Sequence, residues 1–269
     1  MEFNVEIVLP SGKKVRVKEL KNSEYLSIIK FAQNRDFVGL GAFFDELFIS
    51  PDLNIVDRIY LLIYIRMIFI DSSITLTIDD KSVDVDLATM LNKIEANYVD
   101  LETKIVVNGI EVTLDYPCIT HYENIDDLLI ATIKHIQIGT ELIDYSMLDD
   151  EVKDEVMNNL PAAIFTHVNE FIKKIQDNVF DVDLIEENKA FGVKRIGINL
   201  MSNNVLEFVS NLYGTDLQGY YTLIYTFQNT IMPGSNYFFD MSPIETRIIL
   251  NAHSKRIKEE NDQLKKQQQ

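Results

Sequence analysis

Phe3, Val5, Ile7 and Leu9 alternate along the chain, and after "PSGKK" Val15 and Val17 take up the same period. A period of two on both sides of a turn predicts a β-hairpin. From about Asn22 the spacing becomes helical, with Tyr25, Leu26, Ile28 and Ile29 on the apolar side. "FVGLGAFFDELFI" predicts a second, shorter helix ended by Ser50 and Pro51. Asn54 then stands where a side chain can cap a third helix over Ile55–Ile70. Its most apolar part, Ile59–Ile70, is interrupted by Arg66. A spanning helix needs about twenty apolar residues, so this shorter run predicts a buried core helix.

The middle of the chain returns to a period of two. Ile74, Leu76 and Ile78 alternate, Asp79–Asp80 turn the chain, and Val83, Val85 and Leu87 face away from Asp84 and Asp86. A short helix over "LATMLNKIE" follows. "KIVVNGIEVTLDYP" then predicts a hairpin turned by Asn108–Gly109, the strongest short-range hairpin signal. From Asn124 the pattern is mostly helical, and Ile125, Leu128, Leu129, Ile133 and Ile136 predict one helix through "IDDLLIATIKHIQ". "DDEVKDEVMNNL" predicts an acidic surface helix, and "PAAIFTHVNEFIKKI" a helix opened by Pro161. "NVFDVDLI" and "VKRIGINLM" suggest a second β-pair near 178–200, and two further helices are expected with a break near Gly214.

The last helix has its own signature. Ser242, Pro243 and Glu245 form an S-x-x-E capping box with proline at the first helical position. Ile244, Ile248 and Ile249 are expected to bury its first turns. Beyond Leu250 only Ala252, Ile257 and Leu264 are apolar, the last two at heptad spacing. A solvated helix end and a handle for a partner both fit that pattern. The expected fold is α+β: mainly helical, with an N-terminal β-hairpin, two small β inserts and a long C-terminal helix over 243–266. The expected division is 1–71, a small inserted β module over 72–122, and a helical region over 123–269.

Composition narrows the function. The formal net charge is −17 over 269 residues, which disfavours nucleic acid and anionic lipid as direct partners. A single cysteine, Cys118, cannot staple a fold or form a CxxC site, and it suggests a reducing compartment. The first ten residues lack a basic region and an apolar core, so no signal peptide is expected.

Motifs for chemistry are sparse. "SGKK" at 11–14 lacks the second glycine of a phosphate-binding loop, since position 7 is Ile, and Lys14 stands where Ser or Thr is needed. "GLG" at 39–41 lies in a helical pattern and not in a dinucleotide fingerprint. His121, His135, His167 and His253 show no metal-ligand spacing, and His135 and His167 read as partly buried helical side chains. Cys118 and His121 could form a thiol–imidazole pair, but no third orienting group is identifiable. Asp84/Asp86 and Asp181/Asp183 lack the remaining ligands of a calcium loop and read as solvated strand faces. No catalytic, cofactor or metal residue is assigned.

Tyr213, Tyr220, Tyr221, Tyr225, Phe227, Tyr237, Phe238 and Phe239 crowd the C-terminal third. They suit either core packing or a partner surface, where tyrosine buries area at small entropic cost. Tyr220, Tyr221, Tyr225, Tyr237, Phe238, Ile257 and Leu264 are therefore the candidate partner-binding residues.

The order of segments resembles one known family. "VEIVLPSGKKVRVKEL", "NSEYLSIIKFAQN", "DRIYLLIYIRMIFI", "EVTLDYP", "IDDLLIATIKHI", "LDDEVKDEVMNNLPAAIFTHVNEFI", "LQGYYTLIYTFQN" and "MSPIETRIIL" are together similar to the baseplate proteins of T-even-type contractile-tailed phages. The resemblance covers nearly the whole chain. It implies a role in building the baseplate hub, as a hub component or as an assembly factor that need not stay in the virion. It also implies baseplate or hub proteins as partners, and a place in the host cytoplasm during assembly or in the tail baseplate. It brings no catalytic residues and no cofactor. Paired cysteines are expected in some relatives near the inserted strands; "SITLTIDDKS" has none, so no metal site carries over. Two other readings stay open: an acidic adaptor of another complex, and an enzyme using Cys118 and His121.

Overall fold

The computed structural model describes residues 4–48, 50, 52–78, 81–119, 122, 124–180, 200, 205–214, 216–233 and 237–267. Strands β1 (Asn4–Val8) and β2 (Lys14–Lys18) form the opening hairpin, with Val5 opposite Val17 and Ile7 opposite Val15. Helices α1 (Asn22–Asn34), α2 (Phe37–Leu47) and α3 (Ile55–Phe69) follow. The Asn54 side chain accepts from Asp57 N at 2.9 Å, closing the first turn of α3. As the apolar run requires, α3 is buried along nearly its whole length and on every side.

Three charged residues are buried with α3, and each is satisfied. Asp57 accepts from Ser11 N at 3.1 Å and Ser11 Oγ at 2.5 Å, which docks the tip of the first hairpin onto the start of α3. Arg58 Nε donates to Leu53 O at 2.7 Å and Nη1 to Asp45 at 3.3 Å. Arg66 donates to Leu212 O at 2.7 Å, Asp71 O at 2.5 Å and Ser73 O at 3.3 Å. The residue that breaks the apolar run thus ties α3 to the segment that follows it and to the carbonyl of distant Leu212.

The β-rich middle divides between two sheets. Among the described residues, strands β3 (Ser73–Ile78) and β4 (Lys81–Asp86) pair only with each other. After α4 (Leu87–Asn97), β5 (Thr103–Val107) and β6 (Ile110–Leu114) begin a four-stranded antiparallel sheet. Asn108 and Gly109 both have positive φ, 53° and 81°, as a two-residue primed turn requires.

That sheet corrects one expectation. Ile125–Ala131 is a helix, α5, but Ile133–Ile138 is strand β7, followed by β8 (Glu141–Asp144), in the order β5-β6-β7-β8. The register explains the misleading spacing. Leu114 pairs with Ile133 and Thr113 with His135, so Lys134 is an extra residue in a bulge. The bulge turns Ile133 and Ile136, three apart, to the same buried face. Three-residue spacing of isoleucines then imitates a helix, although β-branched residues favour the pleated surface.

Helices α6 (Asp150–Asn159) and α7 (Ala162–Ile175) follow, and α7 continues into a π-helical turn at Gln176–Phe180. The second β-pair expected near 178–200 is corrected at its start, where Asn178–Phe180 are helical and Val179 and Phe180 are buried. Its remainder, Leu200 excepted, lies outside the described residues. Helices α8 (Val205–Tyr213) and α9 (Leu217–Thr226) are separated at Gly214, whose φ is 93°. The last helix, α10, spans Pro243–Gln267. The α+β, mainly helical architecture and the long C-terminal helix are as expected.

Two apolar clusters result among the described residues. The larger runs from Ile7 in the hairpin through α3, α4, the four-stranded sheet and α7 to Tyr213. The smaller comprises Leu26, Ile29, Tyr220, Ile224, Phe227, Phe238 and Met241. Helix α1 serves both: Ile28 packs into the first, Leu26 and Ile29 into the second.

Candidate functional site: the tyrosine groove and the terminal helix

The first turn of α9 is set by Asp216, whose carboxylate accepts from Gly219 N at 2.8 Å. With the helix so started, its residues separate by face. Tyr220 and Ile224 turn inward, while Tyr221 and Tyr225 turn out, 47 % and 69 % exposed. Tyr221 and Tyr225, with Gln33 of α1 and Leu217, Gln218 and Thr222 of α9, line a shallow groove of about 450 Å³. Gln33 also lines a second depression of about 400 Å³, where Arg35 lies 4.0 Å from Glu207.

The candidate partner-binding residues therefore divide. Tyr220 and Phe238 are buried and present no surface to a partner. Tyr220 stacks edge-on against Tyr25 at 5.2 Å and donates from its hydroxyl to Asn22 Oδ1 at 2.9 Å. Phe238 contacts Phe227 and Phe239 edge-on at 5.2 and 5.5 Å. Both complete the smaller cluster, Tyr220 from the inner face of α9 and Phe238 from the 3₁₀ turn Tyr237–Asp240. Burial pushes the Tyr220 phenol far above its ordinary range. Tyr237, Ile257 and Leu264 are exposed, at 56 %, 41 % and 55 %, but none lines the groove. Ile257 and Leu264 lie on the projecting part of α10.

Cys118 is exposed, and its thiol makes a weak 3.9 Å contact with Tyr116 O. Desolvation by the packed chain around it raises its pKa, with Arg58 and Lys13 pulling the other way. An activated nucleophile needs the opposite shift. His121 lies outside the described residues. His135 sits on β7, not on a helix, 3.9 Å from Asp144, and His167 is exposed, 3.3 Å from Glu170. Asp84 accepts from Thr75 Oγ1 at 2.6 Å on an exposed strand face. Asp86 caps α4, accepting from Thr89 N at 2.9 Å and Thr89 Oγ1 at 2.7 Å, and these bonds hold its carboxyl below the usual value. Asp181 and Asp183 lie outside the described residues. Among the described residues no cluster of three or more His, Cys, Asp or Glu could hold a metal ion. No described helix is long and apolar enough to cross a membrane.

Sequence reasoning did not single out Gln33, Leu217, Gln218 and Thr222 as groove residues. The only available signal was helical spacing: Leu217, Tyr221 and Tyr225 fall four apart and so share a face.

The protein is mainly helical α+β, with its tyrosines split between core and surface. Comparison with protein families makes the class specific. Residues 1–193 match the T4 bacteriophage base plate protein family, and the chain belongs to that family. No curated protein and no solved structure gives a match. The matched span holds the hairpin, α1 to α7 and the eight described strands, whereas α8, α9 and α10 lie beyond it.

Proposed function

We propose that this baseplate protein acts in the hub, as a hub component or as a chaperone-like factor of hub assembly, and catalyses no reaction. The observation that carries the proposal is the family match over residues 1–193. The exposed tyrosine groove on α1 and α9 supports it as a place for another baseplate or hub protein to dock. Aromatic side chains left in solvent on a rigid helix are suited to such contacts, since they bury large areas at small conformational cost. Assembly would take place in the host cytoplasm, and a component would remain in the tail baseplate.

The test is deletion of the gene in the phage, followed by electron microscopy of tail structures from infected cells. Incomplete or absent baseplates are expected, and normal tails would refute the assignment. Mass spectrometry of purified wild-type virions then separates the two roles. A hub component is found in the particle, and an assembly factor is not.

A further inference from the structure

The last seventeen described residues of α10, 251–267, extend about 25 Å at 1.5 Å per residue. Of residues 251–266 only His253 is even half-buried. This segment differs in charge from the rest of the chain. Residues 251–269 hold five basic and three acidic side chains, a net +2, which leaves −19 on residues 1–250.

Its internal pairing is poor. Lys255/Glu259, Arg256/Glu260 and Lys258/Asp262 are four apart with the basic residue first, the weaker orientation on a helix. Of these, Arg256–Glu260 is in contact, at 3.4 Å. The apolar positions nevertheless keep a strict period. Leu250, Ile257 and Leu264 repeat every seven residues, with Ser254 and Asn261 three positions before the last two. In heptad terms the three apolar residues occupy d, Ser254 and Asn261 occupy a, Glu260 occupies g and Lys265 occupies e. Arg247, one heptad before Ser254, is tied to Asp71 of the body, so the seam begins at the half-buried Leu250 and is exposed at Ile257 and Leu264.

We propose that this segment pairs, parallel and in register, with the same segment of a second copy of the chain. Self-complementarity selects that occupant. In a parallel pair g of one helix faces e of the other, so Glu260 meets Lys265 twice by symmetry. The other g–e contact sets His253 against Lys258. An antiparallel pair instead brings the e positions together, lysine against lysine. Asn261 at a is the residue type that fixes two strands and their register in parallel pairs. The net +2 of each segment contributes little repulsion beside the acidic bodies. With three apolar layers the pair is weak and reversible. The inference does not rest on the hub assignment, because self-association is read on the purified chain alone.

The test is sedimentation equilibrium of the full chain over a wide concentration range. A reversible monomer–dimer equilibrium is expected. Leu264→Ala should weaken it about tenfold or more. Glu260→Lys should weaken it about fivefold, and adding Lys265→Glu should bring it back to within about twofold of wild type. The double swap does not restore the Arg256–Glu260 pair inside the helix, so recovery isolates the contact between copies. All the altered side chains are exposed, and an unchanged thermal transition confirms that the body folds. A chain that stays monomeric at every concentration overturns the proposal. So does a dimer indifferent to Glu260→Lys, a double swap without recovery, or a monomer whose segment binds only a different, acidic protein.

Discussion

Asn22 Nδ2 donates to Thr246 Oγ1 at 2.6 Å, joining the first residue of α1 to α10 across most of the chain. The same amide donates to Phe238 O at 2.8 Å, its oxygen accepts from Tyr220, and its backbone N–H donates to Met241 O at 2.7 Å. All of this is buried. One asparagine thus satisfies polar groups from α9, the 3₁₀ turn before α10, and α10 itself. Removing its side chain takes a donor from Phe238 O and from Thr246 Oγ1, and leaves the Tyr220 hydroxyl only its longer 3.3 Å bond to Asn22 O. Asn22→Leu should cost about 2–4 kcal/mol, measured by equilibrium chemical denaturation.

The cap of α10 is reciprocal. Ser242 N donates to Glu245 Oε2 at 3.0 Å, and Glu245 N donates to Ser242 Oγ at 3.4 Å. Ser242→Ala should destabilise the protein by about 1 kcal/mol, read as a lower denaturation midpoint with unchanged slope.

Two arginines near the same corner should behave differently. Arg66 is buried and serves three carbonyls, whereas Arg247 pairs with Asp71 where both side chains are about two-fifths exposed. Arg66→Met should cost about 3 kcal/mol or more, because the carbonyls of Leu212, Asp71 and Ser73 lose donors. Arg247→Met should cost less than about 1 kcal/mol, since solvent screens the pair. Denaturation of the two variants side by side checks the contrast.

Alkali should expose the buried tyrosines. Burial pushes Tyr98 up to about 12; the Asn54 hydrogen bond acts against this, while Asp57, Asp100 and Asp115 add to it. Tyr116, Tyr122, Tyr213 and Tyr220 are raised as well, chiefly by burial. Unfolded tyrosines ionise near 10.0, so above that pH the folded state holds more protons than the unfolded state. This stability is fully present below pH 10.0 and is lost as pH rises through about 12. Denaturation midpoints across that window should fall, and fall less steeply in Tyr98→Phe.

Variants in the groove separate folding from the proposed docking. Tyr221→Ser with Tyr225→Ser removes two exposed rings that close no core. The double variant should unfold within about 0.5 kcal/mol of wild type. It should lose most of its co-purification with baseplate proteins from infected cells. Undiminished co-purification would remove the groove from the proposed function.

Much of the fold is local, and that part was legible in the chain. The Asn108–Gly109 turn, the caps at Asn54 and Ser242 and the all-apolar α3 depend on neighbours within a few residues, so residue type and spacing specify them. The strand β7 was not legible. A bulge at Lys134 lends a strand the spacing of a helix, and only pairing with β6 and β8 reveals it. The candidate site was half legible. Tyrosines marked the region, but a helix sorts its faces only once it is packed, and packing sent Tyr220 and Phe238 inward while leaving Tyr221 and Tyr225 in solvent.

Ordered segments and a resemblance to baseplate proteins came from the chain alone, because family patterns and helix signals are written in sequence order. The roles of Asn22, Ser11 and Arg66 came only from the tertiary structure. A polar side chain at a helix start or in a turn looks solvated in sequence. Only the distant carbonyl, hydroxyl or carboxylate brought against it by folding decides that it is buried, and what it holds together.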